Sequence, residues 1–108
     1  MQKTIAIDFD GVLHAYRRGW RDGSIYDVAV DGSVEAVTKL QDAGYHIVVF
    51  STRADTPAGQ ASISNWLREQ GFRAGEILVT DRKVPAIAYI DDRGVRFTNW
   101  PDIVKLWT

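Results

Sequence analysis

Two aspartates, Asp8 and Asp10, stand two residues apart where the apolar run Ile5-Ala6-Ile7 gives way to Gly11. Residues two apart on a strand point the same way, so the carboxylates share a face for as long as the strand persists. Like charges so placed repel unless a cation or a shared proton offsets them. The spacing suits a cation site or paired acid–base work, and it is equally an ordinary way to end a strand in a turn. Further on, Ser51-Thr52-Arg53 follows the run Tyr45 to Phe50, and Asp91-Asp92 follows Ala88-Tyr89-Ile90, with Lys83 between them in the chain. Carboxylates, a hydroxyl and an ammonium are the groups that hold a hard cation with a phosphate beside it.

Those residues depend on the elements that carry them. Three consecutive apolar residues, Ile5 to Ile7, cannot alternate and read as a central parallel strand covered on both faces. Tyr45 to Phe50 reads as a second buried strand, Ile77 to Thr80 as a third, Ala86 to Ile90 as leading into a fourth, and Val95 to Phe97 as a fifth at an edge. Ser33 is placed to cap a helix running to about Ala43, with Val34, Val37 and Leu40 inward and Gly44 as its stop. Asp55, Thr56 and Pro57 suit the start of a second helix, continuing to about Gln70 and stopped by Gly71, with Ile63, Trp66 and Leu67 on its core face. Pro85 rules out an unbroken helix after Lys83. Pro101 suits the first turn of a final helix in which Ile103, Val104 and Leu106 pack. This order predicts an α/β sandwich around a mainly parallel sheet. Such sheets bind ligands beyond the carboxyl ends of their strands, beside the switch in strand order. Asp8, Asp10, Ser51, Asp91 and Asp92 all fall at strand carboxyl ends.

Residues 12–30 form a flap between the first strand and the first helix. Asp22-Gly23 is a turn signal with β-formers on both sides, which predicts a β-hairpin or an extended flap. At its tip Arg17, Arg18, Trp20 and Arg21 suit phosphate contact and stacking, or else a solvated loop with one anchoring tryptophan. His14 and His46 each stand alone in sequence and read as structural.

The length of 108 residues fits one domain, 1–108, with a single core. A hydrophobic content of 45% and a charged content of 25% are globular values, which leaves no case for a disordered chain. The net charge of −1 gives no general electrostatic reason to expect nucleic acid. Without cysteines, disulfides, thiolate metal sites and cysteine nucleophiles are excluded, and a reducing cytoplasmic location is expected. No apolar run approaches a membrane span.

The four motifs, in this order, resemble those of the haloacid dehalogenase-like (HAD) phosphohydrolases. Asp8-Phe9-Asp10-Gly11-Val12-Leu13 resembles motif I, Ser51 motif II, Lys83 motif III and Asp91-Asp92 motif IV. Val12 departs from the threonine found in many members. The resemblance covers essentially the whole chain and implies a HAD-like Rossmannoid three-layer sandwich. It leaves no room for a cap domain, so the site should be open to large substrates, such as nucleic-acid ends or phosphoproteins, or gain a lid by oligomerisation. It implies Asp8 as nucleophile and Asp10 as acid and base, with Ser51 and Lys83 on the non-transferred phosphoryl oxygens. Mg2+ would be held by Asp8, the Asp10 carbonyl and Asp91, with Asp92 reaching it through water. Gly11, Thr52, Arg53, Arg17, Trp20 and Arg21 complete the expected substrate-binding set.

The expectation is a Mg2+-dependent phosphatase acting on a phosphomonoester, with nucleic acid a partner only as substrate, in a monomer or homo-oligomer. Two alternatives stand beside it. One is a catalytically silent HAD-like binding or regulatory domain. The other is a nucleic-acid module using Arg17, Arg18, Trp20 and Arg21, against which the net charge argues. Response-regulator receivers and Toprim-type sites place their acidic residues in a different order.

Overall fold

The computed structural model describes residues 3–91, 95–96 and 99–106. Strand β1 (Lys3–Asp8) is the middle of a five-stranded sheet ordered β3-β2-β1-β4-β5. Its neighbours are β2 (Tyr45–Phe50), β3 (Ile77–Thr80), β4 (Ala88–Asp91) and β5 (Val95–Arg96), and every pairing is parallel. Ile5, Ala6 and Ile7 are all buried, as three consecutive apolar residues in a central strand require. The chain moves outward from β1 through β2 to β3, then returns to the far side of β1 for β4. The switch in strand order therefore falls between β1 and β4, where sheets of this kind bind ligands.

Register partners in a parallel sheet share a face. Ile5, Ile47 and Ile77 align, as do Ile7, Val49 and Val79. They join one core cluster with side chains of helices α1 (Ser33–Asp42), α2 (Pro57–Gln70) and α3 (Trp100–Lys105). The alternate residues Ala6, Asp8, Val48, Phe50, Tyr89 and Asp91 point to the opposite face. Among the described residues no helix covers that face, so the expected three layers are met only in part. The segment 81–87 lies there instead: Tyr89 Oη donates to the Val84 carbonyl, and Lys83 Nζ sits 5.7 Å from the Tyr89 ring centre. Length explains this. Seven residues separate Thr80 from Ala88, and at about 3.4 Å each they reach roughly 24 Å. Crossing three strand spacings of about 4.8 Å and returning along a strand uses nearly all of it.

Helix α2 begins as expected, with Thr56 Oγ1 accepting from Gly59 N–H and Pro57 in the first turn, and it ends at Gly71 in the left-handed region. Helix α1 differs. Gly32, at φ 81°, holds the cap position, and Ser33 is the first helical residue, buried with its hydroxyl lacking a partner among the described residues. In α3, Val104 packs, and the side chain of Ile103 lies outside the described residues; Leu106 falls just past the helix and is exposed. No described helix is long and apolar enough to cross a membrane.

The flap is not a β-hairpin. Only its base pairs, through Ala15 N–H to Val28 O and Val30 N–H to Leu13 O, with a single antiparallel bridge at His14 and Ala29. Above that base the segment folds on its own side chains. Arg17 reaches back to Asp27, and Tyr26 Oη donates to Gly19 O at 2.8 Å while accepting from Arg18 N–H at 2.9 Å. These partners draw the two limbs away from ladder geometry.

Candidate active site

Strand β1 ends at Asp8, and the chain then turns sharply. The N–H groups of Leu13 and His14 both donate to Phe9 O, and Gly11, at φ 80°, donates to His14 O. A left-handed residue is needed at that point, which glycine adopts without strain. The turn parts the two aspartates. Asp8 keeps the orientation of its strand position, on the face free of helices. Asp10 sends its carboxylate elsewhere: Oδ1 accepts from His14 Nδ1 at 2.8 Å, and Oδ2 accepts from Arg53 Nε at 2.9 Å. The side-by-side carboxylates predicted for an unbroken strand are thus replaced by one on the sheet face and one tied to the neighbouring loop.

On the sheet face, Asp8, Asp91, Lys83 and Tyr89 line a slot of about 10 Å³ together with Ala6 and Phe50. Asp8 and Asp91 come from β1 and β4, so the slot sits at the switch in strand order. Its volume is about that of one water-sized body. Three of the sequence-predicted site residues, Asp8, Lys83 and Asp91, therefore line one slot. Asp92 and Arg93 lie outside the described residues. Among the described residues no group of three acidic or histidine side chains is placed to hold a metal ion. Asp8 and Asp91 are nevertheless a carboxylate number that suits Mg2+, which keeps several waters and takes only one or two protein carboxylates.

Ser51, after β2, is buried. Its hydroxyl accepts from Arg53 N–H at 3.1 Å, and its own N–H donates to Thr80 O. It caps a short 3-10 segment, Thr52–Asp55, kinked at Ala54, that carries Arg53 toward Asp10. The Arg53 side chain is only 7% exposed. Besides Asp10 it donates from Nη1 to Gly23 O at 2.8 Å, and its guanidinium carbon lies 5.0 Å from the Trp20 ring centre and 5.7 Å from that of Tyr16. One arginine thus joins the turn after β1, the end of β2 and the flap. Trp20, Thr52 and Arg53 line a common cavity there, whereas Arg17 faces elsewhere and Arg21 is exposed.

Arg17 is committed to Asp27, with Nη2 donating to Oδ1 at 2.6 Å and Nε to Oδ2 at 3.0 Å. The side-chain bond from Arg17, followed by the bond from its backbone N–H, holds the buried Asp27 carboxyl far below the usual aspartate range. The same interaction raises the Arg17 guanidinium above its ordinary value. Arg17 therefore locks the flap.

Sequence reasoning assigned His14 to structure, and its position explains how. It is fully buried, stacked on Phe9 and edge-on to Trp66. The Asp27 backbone N–H donates to Nε2 at 3.0 Å, so Nε2 carries no proton and Nδ1–H is the group that meets Asp10. The imidazole is neutral here, and its contact with Asp10 is a hydrogen bond and not an ion pair. Tyr89, which packs under Lys83, had no sequence signal beyond being an aromatic in a strand.

Compared with known proteins, the chain matches no protein-family model, no curated protein and no solved structure.

Proposed function

We propose that this chain is a Mg2+-dependent phosphatase of the HAD type, acting on a phosphomonoester through an aspartyl-phosphate. The observation that supports it is the meeting of Asp8, Lys83 and Asp91 in one slot at the switch point of a parallel sheet. Asp8 attacks phosphorus while the bond to the leaving oxygen breaks, and Asp10 gives that oxygen its proton. Asp10 then takes a proton from the water that attacks phosphorus, releasing phosphate and restoring the Asp8 carboxylate. Lys83 offsets the charge of the non-transferred oxygens. Asp8, the Asp10 carbonyl and Asp91 would hold Mg2+, with Asp92 reaching it through water. When bound, the ion supplies charge neutralisation that lets a carboxylate approach a phosphate. Ser51 contributes by fixing the turn that delivers Arg53, and His14 and Arg53 hold the Asp10 carboxylate.

One observation favours a second reading, a silent HAD-like binding domain: both Asp10 oxygens are already taken up by His14 and Arg53. Hydrolysis of p-nitrophenyl phosphate separates the two. The phosphatase requires Mg2+-dependent turnover that chelation abolishes and that Asp8→Asn lowers by about three orders of magnitude or more. Equal rates for Asp8→Asn and the parent would remove the nucleophile. No hydrolysis of any phosphomonoester would leave the binding domain.

A further inference from the structure

Between the flap and the start of α2 lies a cavity of about 280 Å³ that the chemistry above does not use, lined by Trp20, Ile25, Thr52, Arg53, Asp55 and Ser62. Resting on the phosphatase reading, we infer that it receives the leaving group of the substrate, and that this group carries a flat heteroaromatic ring, the base of a nucleoside monophosphate.

Its wall is built around a tryptophan that is 64% exposed. Trp20 is nevertheless held in place. The Arg53 guanidinium packs over its ring, and Arg53 is itself tied to Asp10 and to Gly23 O. The flap beneath is fixed by the Arg17–Asp27 pair, by Tyr26 bonded to both Gly19 and Arg18, and by Trp66 Nε1–H donating to Asp27 O at 2.9 Å. An exposed indole on a braced loop is a preorganised stacking surface, which spares a ligand the cost of ordering it.

The remaining lining selects among ligands. A second phosphate is disfavoured, because the Arg53 guanidinium is already spread between Asp10 and Gly23 O, and Asp55 brings a negative charge. The Asp55 carboxylate offers a ligand only acceptors, and these suit the amino and imino N–H groups on the edge of a base. Thr52 and Ser62 can donate or accept beside it. An alkyl or sugar group alone would leave the indole face without a flat partner. The volume suits a single ring system and not a whole drug-sized ligand.

Position connects the cavity to the reacting end. Its floor is the turn that follows β2, and β2 pairs with β1 so that Phe50 lies beside Asp8. Arg53 reaches from the cavity wall to Asp10, two residues beyond Asp8. A phosphate at Asp8 and a ring against Trp20 are then bridged by a sugar passing over Asp10.

The test reads binding separately from turnover. The isotope-labelled full chain is titrated with guanosine, adenosine and cytidine, and with methyl riboside as the ringless control, following the Trp20 indole N–H and the amides of Thr52 and Ser62. Nucleosides should shift these signals saturably, and the riboside should not. Trp20→Ala should abolish the amide shifts with the rest of the spectrum intact, and Asp55→Asn should weaken binding severalfold. In turnover, the kcat/KM ratio of a nucleoside monophosphate to glycerol phosphate should be about tenfold or more and should collapse in Trp20→Ala. No shift with any nucleoside, or the same shift with methyl riboside, overturns the subsite. Nucleoside shifts without hydrolysis of any phosphate would uphold the subsite and overturn the phosphatase reading.

Discussion

Replacing His14 by phenylalanine isolates the two hydrogen bonds of a ring that otherwise only packs. Phenylalanine keeps the stack on Phe9 and the edge contact with Trp66, so little is lost in ring packing. What disappears is the acceptor for Asp27 N–H and the donor to Asp10 Oδ1. Asp27 is buried, so its N–H is left without an acceptor or water, which costs about 1–3 kcal/mol. Asp10 is 26% exposed and keeps Arg53, so its share is smaller, about 1 kcal/mol. Together these give about 2–4 kcal/mol. A domain near this size loses about 4–8 °C in Tm per kcal/mol, so the Tm followed by circular dichroism should fall by at least about 8 °C. His14→Asn refines the test, because its side-chain amide can stand where Nδ1–H stands and keep the bond to Asp10 while losing the acceptor for Asp27. It should be destabilised and yet keep more phosphatase activity per folded molecule than His14→Phe. A Tm for His14→Phe within about 2 °C of the parent, reckoned as the scatter of such a measurement, would refute the account of His14 as the joint between the flap and the turn after β1.

Mg2+ at about a hundred times its dissociation constant should stabilise the chain by about 2.7 kcal/mol, and Asp91→Ala should remove most of the resulting shift in Tm; an undiminished shift would exclude Asp91 as a ligand. Asp27 has a folded value lowered by Arg17, so its stabilisation is complete above the ordinary aspartate range near about 4 and is lost as pH falls through the lower folded value. The Tm gap between the parent and Asp27→Asn should therefore be widest near neutrality and narrow steadily below that range; a gap that widens in acid would contradict the pairing. Gly59→Ala should lower stability by about 1–3 kcal/mol, because its Cβ would stand 1.8 Å from the Arg53 carbonyl oxygen. A neutral result in chemical denaturation would show that the start of α2 can move away from Arg53.

The parallel sheet was legible because its strands carry the mark of double-sided burial: Ile5 to Ile7 and Ile47 to Val49 have no polar face to offer water. Helix α2 was legible because Thr56, Pro57 and Gly71 are each the residue that its position favours. The cap of α1 was misread because Ser33 and Gly32 both suit a cap, and the left-handed backbone at Gly32 took the position. The hairpin failed for a tertiary reason. Asp22-Gly23 does turn the chain, but the Arg17–Asp27 and Tyr26–Gly19 contacts override the strand preference of the residues around it. The nearness of Asp8 and Asp91 followed from strand ends alone, whereas Lys83 reaches them from the segment 81–87 that crosses the sheet. The grip of Arg53 on Asp10 did not, since nothing in the spacing of a turn residue says which way its side chain will reach. The helix-free side of the sheet was hidden too, because the absence of a helix after β3 becomes decisive only when seven residues must cross to β4.

The central place of β1 has a consequence for the growing chain. Ile7 pairs on one side with Val49 and on the other with Ile90, so one flank of β1 waits for a strand made about eighty residues later. At roughly 5–20 residues per second, that wait lasts about 4–16 s. Throughout it the nascent polypeptide shows a row of unpaired backbone groups beside three apolar side chains, the kind of edge that recruits other strands. Slowing translation between Phe72 and Ala88 should therefore raise the fraction of insoluble product, and speeding it should lower that fraction. When β4 docks, it covers the adhesive edge and brings Asp91 to Asp8 in the same movement.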